Sequence, residues 1–379
     1  MPNAMMTSGG TAAGTEGRGQ TPSPVAVKPF TRASMEHRES AGIDKTVTMS
    51  ASDQDLGAFM VPAYGYVRGL VLLVEVTGGA GTAVFAGDSP WNVLKNIIVQ
   101  EPNGSTICQF NSGYDLYLAN KFSGYRGYND PKKMPVYSTN VTGGTAKFAL
   151  RIPFEISGRS SLGALPNQNS AAAFQLRMTL AAASNVYTTS PTTLPNVRIR
   201  VLTEAWDQPA VSSDGVANQV TPPAMNTTQF WSKQSFPINP GVQSVRLNRV
   251  GNYLRNLIFV YRDTTGARVP FSSNNFPTLP SITFDTRPID TVISDIWLNT
   301  MYERTGYGNQ YDQAGGLDNG VWVYDFAHEF NGAIGQEMND GWLPTLASTR
   351  LELGGNFGVA GTLEVLTNDV SVSGNVFTN

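Results

Sequence analysis

The side chains able to do chemistry are few and far apart. Histidine occurs only at His37 and His328, which leaves no set of three or four imidazoles for a metal centre. Glu329 follows His328, but no second histidine stands four residues on to complete a zinc-protease helix, and Phe326 to Phe330 reads as strand. Cys108 is the single cysteine, which excludes an intrachain disulfide and any multi-cysteine site. It lies in the strand-like run STICQF with no histidine near it in sequence, the setting of a small buried residue rather than a nucleophile. Asp285, Asp290, Asp295 and Asp325 supply the two acids that glycosidase-type catalysis needs. Acids at strand ends and helix starts, however, ordinarily cap or solvate turns.

Phosphate recognition has little more behind it. There is no GxxxxGK[ST] loop, and Gly78-Gly-Ala-Gly81 follows a strand but leads into Thr-Ala-Val-Phe, a further β run, so it reads as a hairpin or loop. Asp130-Pro-Lys-Lys133 holds the only adjacent lysine pair and, with Arg126, Tyr125 and Tyr128, makes a small basic loop. Such a loop suits solvent first, and otherwise phospholipid, nucleic acid or a neighbouring subunit. Trp91, Trp206, Trp231, Trp297, Trp322 and Trp342 are spread along the chain as core and interface packing would have them, not gathered into a sugar-binding platform. No catalytic, cofactor-binding or metal-ligating residue is assigned.

The elements that carry these residues follow from composition and pattern. The chain has 379 residues, of which only 15% are charged against a norm of about 25%; Ser, Thr, Asn, Gln and Gly take their place. The 38 glycines and 23 prolines imply many turns, and 18 Phe, 14 Tyr and 6 Trp give enough apolar surface for sizeable cores. A net charge of -3 does not advertise a nucleic-acid partner. No apolar stretch reaches the roughly 20 residues of a transmembrane helix, and MPNAMMTSGGTAAGTEGRGQ lacks the apolar core of a signal peptide.

Residues 1–45 are poor in large apolar side chains and read as a flexible arm. From residue 46 the pattern is strand-like, in Val67 to Thr77, Leu94 to Gln100, Phe148 to Ile156, Phe174 to Leu180 and Val197 to Thr203. It resumes in Leu254 to Arg262, Ser281 to Phe284, Gly320 to Phe330, Arg350 to Leu353 and Gly361 to Thr367. Tyr114 to Phe122 and Ile293 to Arg304 have apolar residues at three- and four-residue spacing with no internal Gly or Pro, and each predicts a short helix. Stretches 157–172 and 305–320 predict loops. Residues 210–230, with Pro222-Pro223, predict a connector between domains at 46–209 and 231–379.

The two halves match in order. Tyr66, Arg68 and Leu70 answer to Tyr253, Arg255 and Leu257, and Tyr117-Leu118 to Trp297-Leu298. Phe154 answers to Phe326, Leu165-Pro166 to Leu343-Pro344, Leu176 to Leu351, and Val201-Leu-Thr-Glu204 to Val365-Leu-Thr-Asn368. The offsets of 187, 180, 172, 178, 175 and 164 keep one order while loop lengths differ, which describes two copies of one β-domain.

About eight strand candidates per half, joined by long connections, favour a jelly roll over an up-and-down barrel. The expected fold class is all-β: two tandem eight-stranded jelly rolls, a double jelly roll, with a flexible N-terminal arm and a short helix in each half. In this organisation the chain resembles the double jelly-roll major capsid proteins of the tectivirus and adenovirus lineage, at the size of the small bacteriophage members. The resemblance implies a homotrimer whose six jelly rolls form a pseudo-hexagonal block tiling an icosahedral viral shell around an internal membrane. It implies as partners the chain itself, neighbouring trimers, minor capsid or vertex proteins, and internal membrane lipids reached by the arm. It also implies synthesis in the host cytoplasm, residence in the virion, no cofactor and no enzymatic activity. The arm's net charge of +1 is too small for wrapping a genome, so direct nucleic-acid binding is not expected. Low charge suits a surface that large permanent contacts cover. Two other readings stay open: a two-sandwich carbohydrate- or receptor-binding protein, and a carboxylate-dependent hydrolase on a double jelly roll.

Overall fold

The computed structural model describes residues 36–123, 130–156, 162–207, 227–248, 251–271, 273–305, 318–326, 342–345 and 350–372. The first half carries β1 (Glu36–Thr48), β2 (Gln54–Met60), β3 (Tyr66–Thr77), β4 (Val84–Phe85), β5 (Leu94–Gln100), β6 (Thr106–Ser112), helix α1 (Gly113–Phe122) and β7 (Ser138–Asn140). It continues with β8 (Thr145–Pro153), β9 (Leu165–Pro166), β10 (Gln175–Leu180), the single turn α2 (Ala183–Val186), β11 (Tyr187–Thr189) and β12 (Asn196–Trp206). The second half carries β13 (Thr227–Ile238), β14 (Gly241–Arg246), β15 (Tyr253–Asp263), β16 (Ser281–Phe284), β17 (Arg287–Thr291) and helix α3 (Ser294–Thr305). It ends with β18 (Val321–Asp325), β19 (Leu343–Pro344), β20 (Leu351–Phe357) and β21 (Gly361–Val372).

Period-two alternation builds the cores. In β3, Leu70, Leu72, Val74 and Val76 are buried on one face while Val71, Leu73 and Glu75 on the other are half-buried. Ala146, Phe148, Leu150 and Ile152 of β8 and Val197, Ile199 and Val201 of β12 join the buried face. They form one core with Leu94, Ile97 and Val99 of β5 and Leu176, Met178 and Leu180 of β10, each large side chain contributing about 1.5–3 kcal/mol.

The sheet order of the first half is β1-β12-β3-β8-β7, opposed by β6-β5-β10-β2. That of the second is β13-β21-β15-β18, opposed by β14-β20-β16-β17. In both halves the first strand pairs antiparallel with the last, β1 with β12 and β13 with β21, as Greek-key connections require. β6 and β13 run parallel with Cys108 opposite Trp231, so the two halves share one nine-stranded sheet. β4 and β11 pair as a separate ribbon.

The matched residues of the two halves fall at equivalent places. Leu70 pairs with Thr203 and Leu257 with Thr367. Leu165 of β9 pairs with Val67 and Leu343 of β19 with Leu254. The Phe154 N–H donates to the Arg68 carbonyl and the Phe326 N–H to the Arg255 carbonyl, both at 3.0 Å. Each half also bulges at the same point: Glu204 and Ala205 face Gly69 and Val67, while Asn368 and Asp369 face Asn256 and Leu254. The residue left over is an arginine in both, Arg68 and Arg255.

The helices lie where periodicity puts them, at Gly113–Phe122 and Ser294–Thr305. The predicted arm is corrected: its last ten residues, from Glu36, belong to β1, a strand held by its ladder to β12. The run EHRESAGIDKTVT has too few apolar side chains to declare itself. Likewise the last four residues of the predicted connector open β13 at Thr227, while 210–226 and the remainder of the arm lie outside the described residues. β2, β14 and β17 were not expected. The expected strand Gly320 to Phe330 is β18 as far as Asp325, and the expected loop 157–172 contains β9.

Gly113 opens α1 directly over the Trp91 carbonyl, where an added Cβ would fall well inside van der Waals contact with backbone oxygen. Gly113→Ala is expected to displace the helix and destabilise the protein by about 1–3 kcal/mol, read as a lower denaturation midpoint at constant m-value.

Candidate functional site: the joint between the halves

Helix α1 is set by a reciprocal cap. The Tyr114 N–H donates to Ser112 Oγ, and the Ser112 N–H donates to Asp115 Oδ2, each at 3.1 Å. All ten of its residues are buried, which places it between two bodies rather than on a surface. Against its own half, the Asn120 side-chain amide accepts from the Arg151 N–H at 2.8 Å and donates to the Arg151 carbonyl at 2.7 Å. It thereby satisfies β8 where no further strand does. In the second half, the Trp297 indole of α3 donates to the Val323 carbonyl of β18 at 3.2 Å.

On its other side α1 meets the second half through charges. Lys233 of β13 donates to both Asp115 oxygens at 2.9 and 3.2 Å and lies 3.0 Å from Glu364. Glu364 accepts from Arg262 at 2.8 Å, Arg262 reaches Asp88 at 2.8 Å, and Arg268 reaches Asp88 at 3.2 Å. Asp115 and Asp88 come from the first half and the other four from the second, so three acids and three bases alternate across the joint. Lys121 of α1 pairs with Asp318, and Asp130 stands 3.8 Å from the same ammonium. At the helix C-terminus, the Ser123 carbonyl accepts from Arg255 at 2.7 Å, a cation at the negative end of the helix dipole. Gln229 of β13 donates to the Phe154 carbonyl at 2.8 Å and adds a neutral tie.

Burial is the largest influence on Asp115 and lifts its carboxyl above the ordinary range, with Lys233 opposing the shift. Burial also works against the charge of Lys233, but Asp115 and Glu364 outweigh it and hold its ammonium above the ordinary lysine range. Glu364 is penalised by burial too, and Lys233 and Arg262 overcome this and hold its carboxyl below the ordinary range.

Arg68, the counterpart of Arg255, is satisfied inside its own half. It donates to Glu155 and Glu36 at 2.7 Å each and lies 4.0 Å over the Trp206 ring. Beside it, the outer face of the β1-β12-β3-β8 sheet holds a cavity of about 280 Å³ lined by Arg38, Val71, Met134, Arg151, Leu202 and Glu204.

The residues singled out in the sequence do not converge. His37 lies on β1, 3.2 Å from Glu39 and stacked on Tyr64. His328, Glu329, Arg126, Tyr125 and Tyr128 lie outside the described residues. Asp130 caps the short turn Pro131–Lys133 by accepting from the Lys132 N–H at 2.9 Å. Gly78 and Gly81 take positive φ angles in the loop after β3. Asp285 turns the chain between β16 and β17, Asp290 is on β17, Asp295 is in the first turn of α3, and Asp325 closes β18. Among the described residues no group of three or more His, Cys, Asp or Glu is placed to hold a metal ion, and no helix is long and apolar enough to cross a membrane. All six tryptophans are buried. The joint itself escaped sequence reading, because Asp115, Lys233 and Glu364 stand more than a hundred residues apart and share no motif.

Cys108 is fully buried opposite Trp231 at the joint, and burial pushes its thiol far above the usual cysteine range. It is expected not to react with an aromatic disulfide reagent at pH 8 while the chain is native, and to react stoichiometrically in denaturant. Fast native labelling would mean that β6 and β13 part readily.

No family model matches the sequence, and neither does any curated protein. Solved structures do match. The STIV major capsid protein, of Sulfolobus Turreted Icosahedral Virus, superposes with a TM-score of 0.60 at 12% identity, covering 89% of this chain and 96% of its own. The major capsid protein P2 from bacteriophage PM2 gives 0.51 at 11% identity, covering 90% of this chain and 99% of its own. VP54 of PBCV-1 gives 0.55 at 11% identity, covering 91% and 97%. The chain therefore has the double jelly-roll fold of these proteins, and at such identities the likeness is one of fold.

Proposed function

We propose that this chain is a viral major capsid protein, a structural shell subunit and not an enzyme, which works as a homotrimer of double jelly rolls tiling an icosahedral shell. One observation carries the reading: the fold matches capsid proteins over about nine-tenths of this chain and nearly the whole of theirs. The two domains run from Glu36 to Trp206 and from Thr227 to Val372, and their partners are further copies of the chain, vertex proteins, and lipids of an internal membrane reached by the arm. The low charge of 15% accords with a surface largely covered by neighbours. The carbohydrate-binding alternative loses its tryptophans to the cores, and the hydrolase alternative has its acids dispersed over separate elements.

Mass photometry of the purified full chain tests the proposal. A species of three times 40.8 kDa that persists on dilution is expected. A monomer under every assembly condition, or virus particles lacking the protein, would overturn it.

A further inference from the structure

We infer that Lys121 and Asp318 join covalently once the chain has folded: Lys121 Nζ and Asp318 Cγ form a side-chain amide, one water leaves, and Asp130 carries the proton. The product is an isopeptide cross-link between the two halves of one chain. It stands on the geometry of the joint and does not depend on the shell reading.

The three side chains form a closed group. Lys121 Nζ donates to Asp318 Oδ2, and Asp130 Oδ2 stands 3.8 Å from the same nitrogen. Lys121, Asp318 and Asp130 have side chains only 1%, 7% and 4% exposed, so bulk water does not reach the contact. The rings of Phe122 and Tyr117, centred 5.2 and 5.9 Å from Nζ, wall it in. A buried ion pair offsets its desolvation only when its remaining lone pairs are also hydrogen-bonded. Asp318 Oδ1 is buried with no hydrogen-bond partner among the described residues. An amide keeps one carboxyl oxygen and releases the other, so loss of Oδ1 as water removes the unsatisfied atom.

Each group is held in place before any bond forms. Lys121 lies in the last turn of α1, the helix whose ten residues are all buried. Asp318 opens the turn into β18, where its carbonyl accepts from the Val321 N–H at 3.0 Å. That turn is pinned to the second half: the Gly320 carbonyl accepts from the Tyr261 N–H of β15 at 3.2 Å, and the Asn319 carbonyl accepts from Arg268 at 2.9 Å. Asp130 uses Oδ1 to accept from the Lys132 N–H at 2.9 Å, which leaves Oδ2 facing the amine. Groups fixed in contact react without the entropy cost of bringing them together.

The step balances without a co-reactant. Asp130 takes a proton from the Lys121 ammonium and passes it to Asp318 Oδ1, leaving a neutral amine beside a carboxylic acid. The Nζ lone pair forms the bond to Cγ, and the carbonyl π pair moves onto Oδ2. Asp130 removes a second proton from the nitrogen. The Oδ2 pair then restores the carbonyl, the Cγ–Oδ1 bond breaks, and the departing hydroxyl takes that proton from Asp130 as water. One ammonium and one carboxylate become one amide and one water; nothing is oxidised or reduced, and Asp130 ends as it began. The link spans 197 positions of sequence, in a chain whose single cysteine allows no internal disulfide, and a cross-link of such span restricts the unfolded chain strongly.

The test is mass spectrometry of the purified full-length chain in denaturant, followed by tryptic mapping. Wild type is expected one water below the mass its sequence requires, with no cleavage after Lys121 and a branched peptide joining the Lys121 and Asp318 segments. Lys121→Arg removes the nucleophile and Asp318→Ala the acceptor, and each is expected to lose the branched peptide and the deficit of one water. Asp130→Asn keeps an acceptor for the Lys132 N–H and is expected to link at least about a hundredfold more slowly. Wild type at its full mass and cleaved after Lys121 overturns the inference, a result that needs no variant to fold. Linking of Asp130→Asn at the wild-type rate overturns the part given to Asp130. Neither result bears on the shell reading, which mass photometry decides separately.

Discussion

Lys233→Met is expected to destabilise the protein by about 3–5 kcal/mol, the usual result of removing one member of a buried ion cluster. The lysine is almost wholly buried and serves two carboxylates, Asp115 of one half and Glu364 of the other. Methionine keeps the hydrophobic stem but leaves Asp115 with no cation in its place, and Glu364 with Arg262 alone. Acid partly reverses the defect. In the variant the Asp115 carboxyl, already raised by burial, loses the lysine that opposes the shift, so its penalty at neutral pH grows and is relieved as pH falls through the raised value. In wild type Glu364 behaves oppositely: its depressed value adds stability above its ordinary 4.5 that is lost as pH falls below it. The gap between the denaturation midpoints of wild type and variant is therefore expected to narrow from pH 7 to pH 4. A constant gap would mean that the lysine acts through packing alone. Faster labelling of Cys108 in the variant is the structural companion to this result, since that thiol is sealed by the same joint.

Trp91→Ala is expected to cost about 3–5 kcal/mol, the range for emptying a large aromatic site. Trp91 is completely buried, stacked on Tyr117 of α1 at 4.5 Å and on Tyr137 at 5.4 Å, with the edge of Phe148 of β8 at 4.8 Å. Its carbonyl is also the group against which Gly113 fits. One residue thus fixes α1 twice, by ring and by backbone, and through α1 it positions Asp115. Trp91→Phe keeps a ring in the stack and is expected to lose less than half as much by chemical denaturation. Equal losses for Ala and Phe would show that the stack is not what holds the helix.

The inner strands were legible because burial writes an alternating or continuous apolar run into them. β5 and β16 coincide with runs read directly from Leu94 to Gln100 and Ser281 to Phe284. β1 and β13, the first strands of the two halves, were not, because their neighbours supply what their own side chains lack. β1 is held by backbone pairing to β12, and β13 carries polar groups such as Gln229 and Lys233 that point into the joint. The match of Tyr66-Val-Arg68 to Tyr253-Leu-Arg255 announced a repeat, yet nothing local distinguishes a bulged arginine from one on a regular ladder. The joint was invisible for a physical reason: its ion pairs form between segments that approach only once both sandwiches exist.

The position of β21 between β13 and β15, and of β12 between β1 and β3, sets a timetable during synthesis. The first sandwich lacks a central strand until Trp206 has left the ribosome, and the second until Val372 has done so. Over the intervening 166 residues of translation, a finished first half carries α1 and Cys108 with no partner across from them. Translation order and the closing of the joint are thus coupled: only a polypeptide made through its last central strand covers its own inner surface.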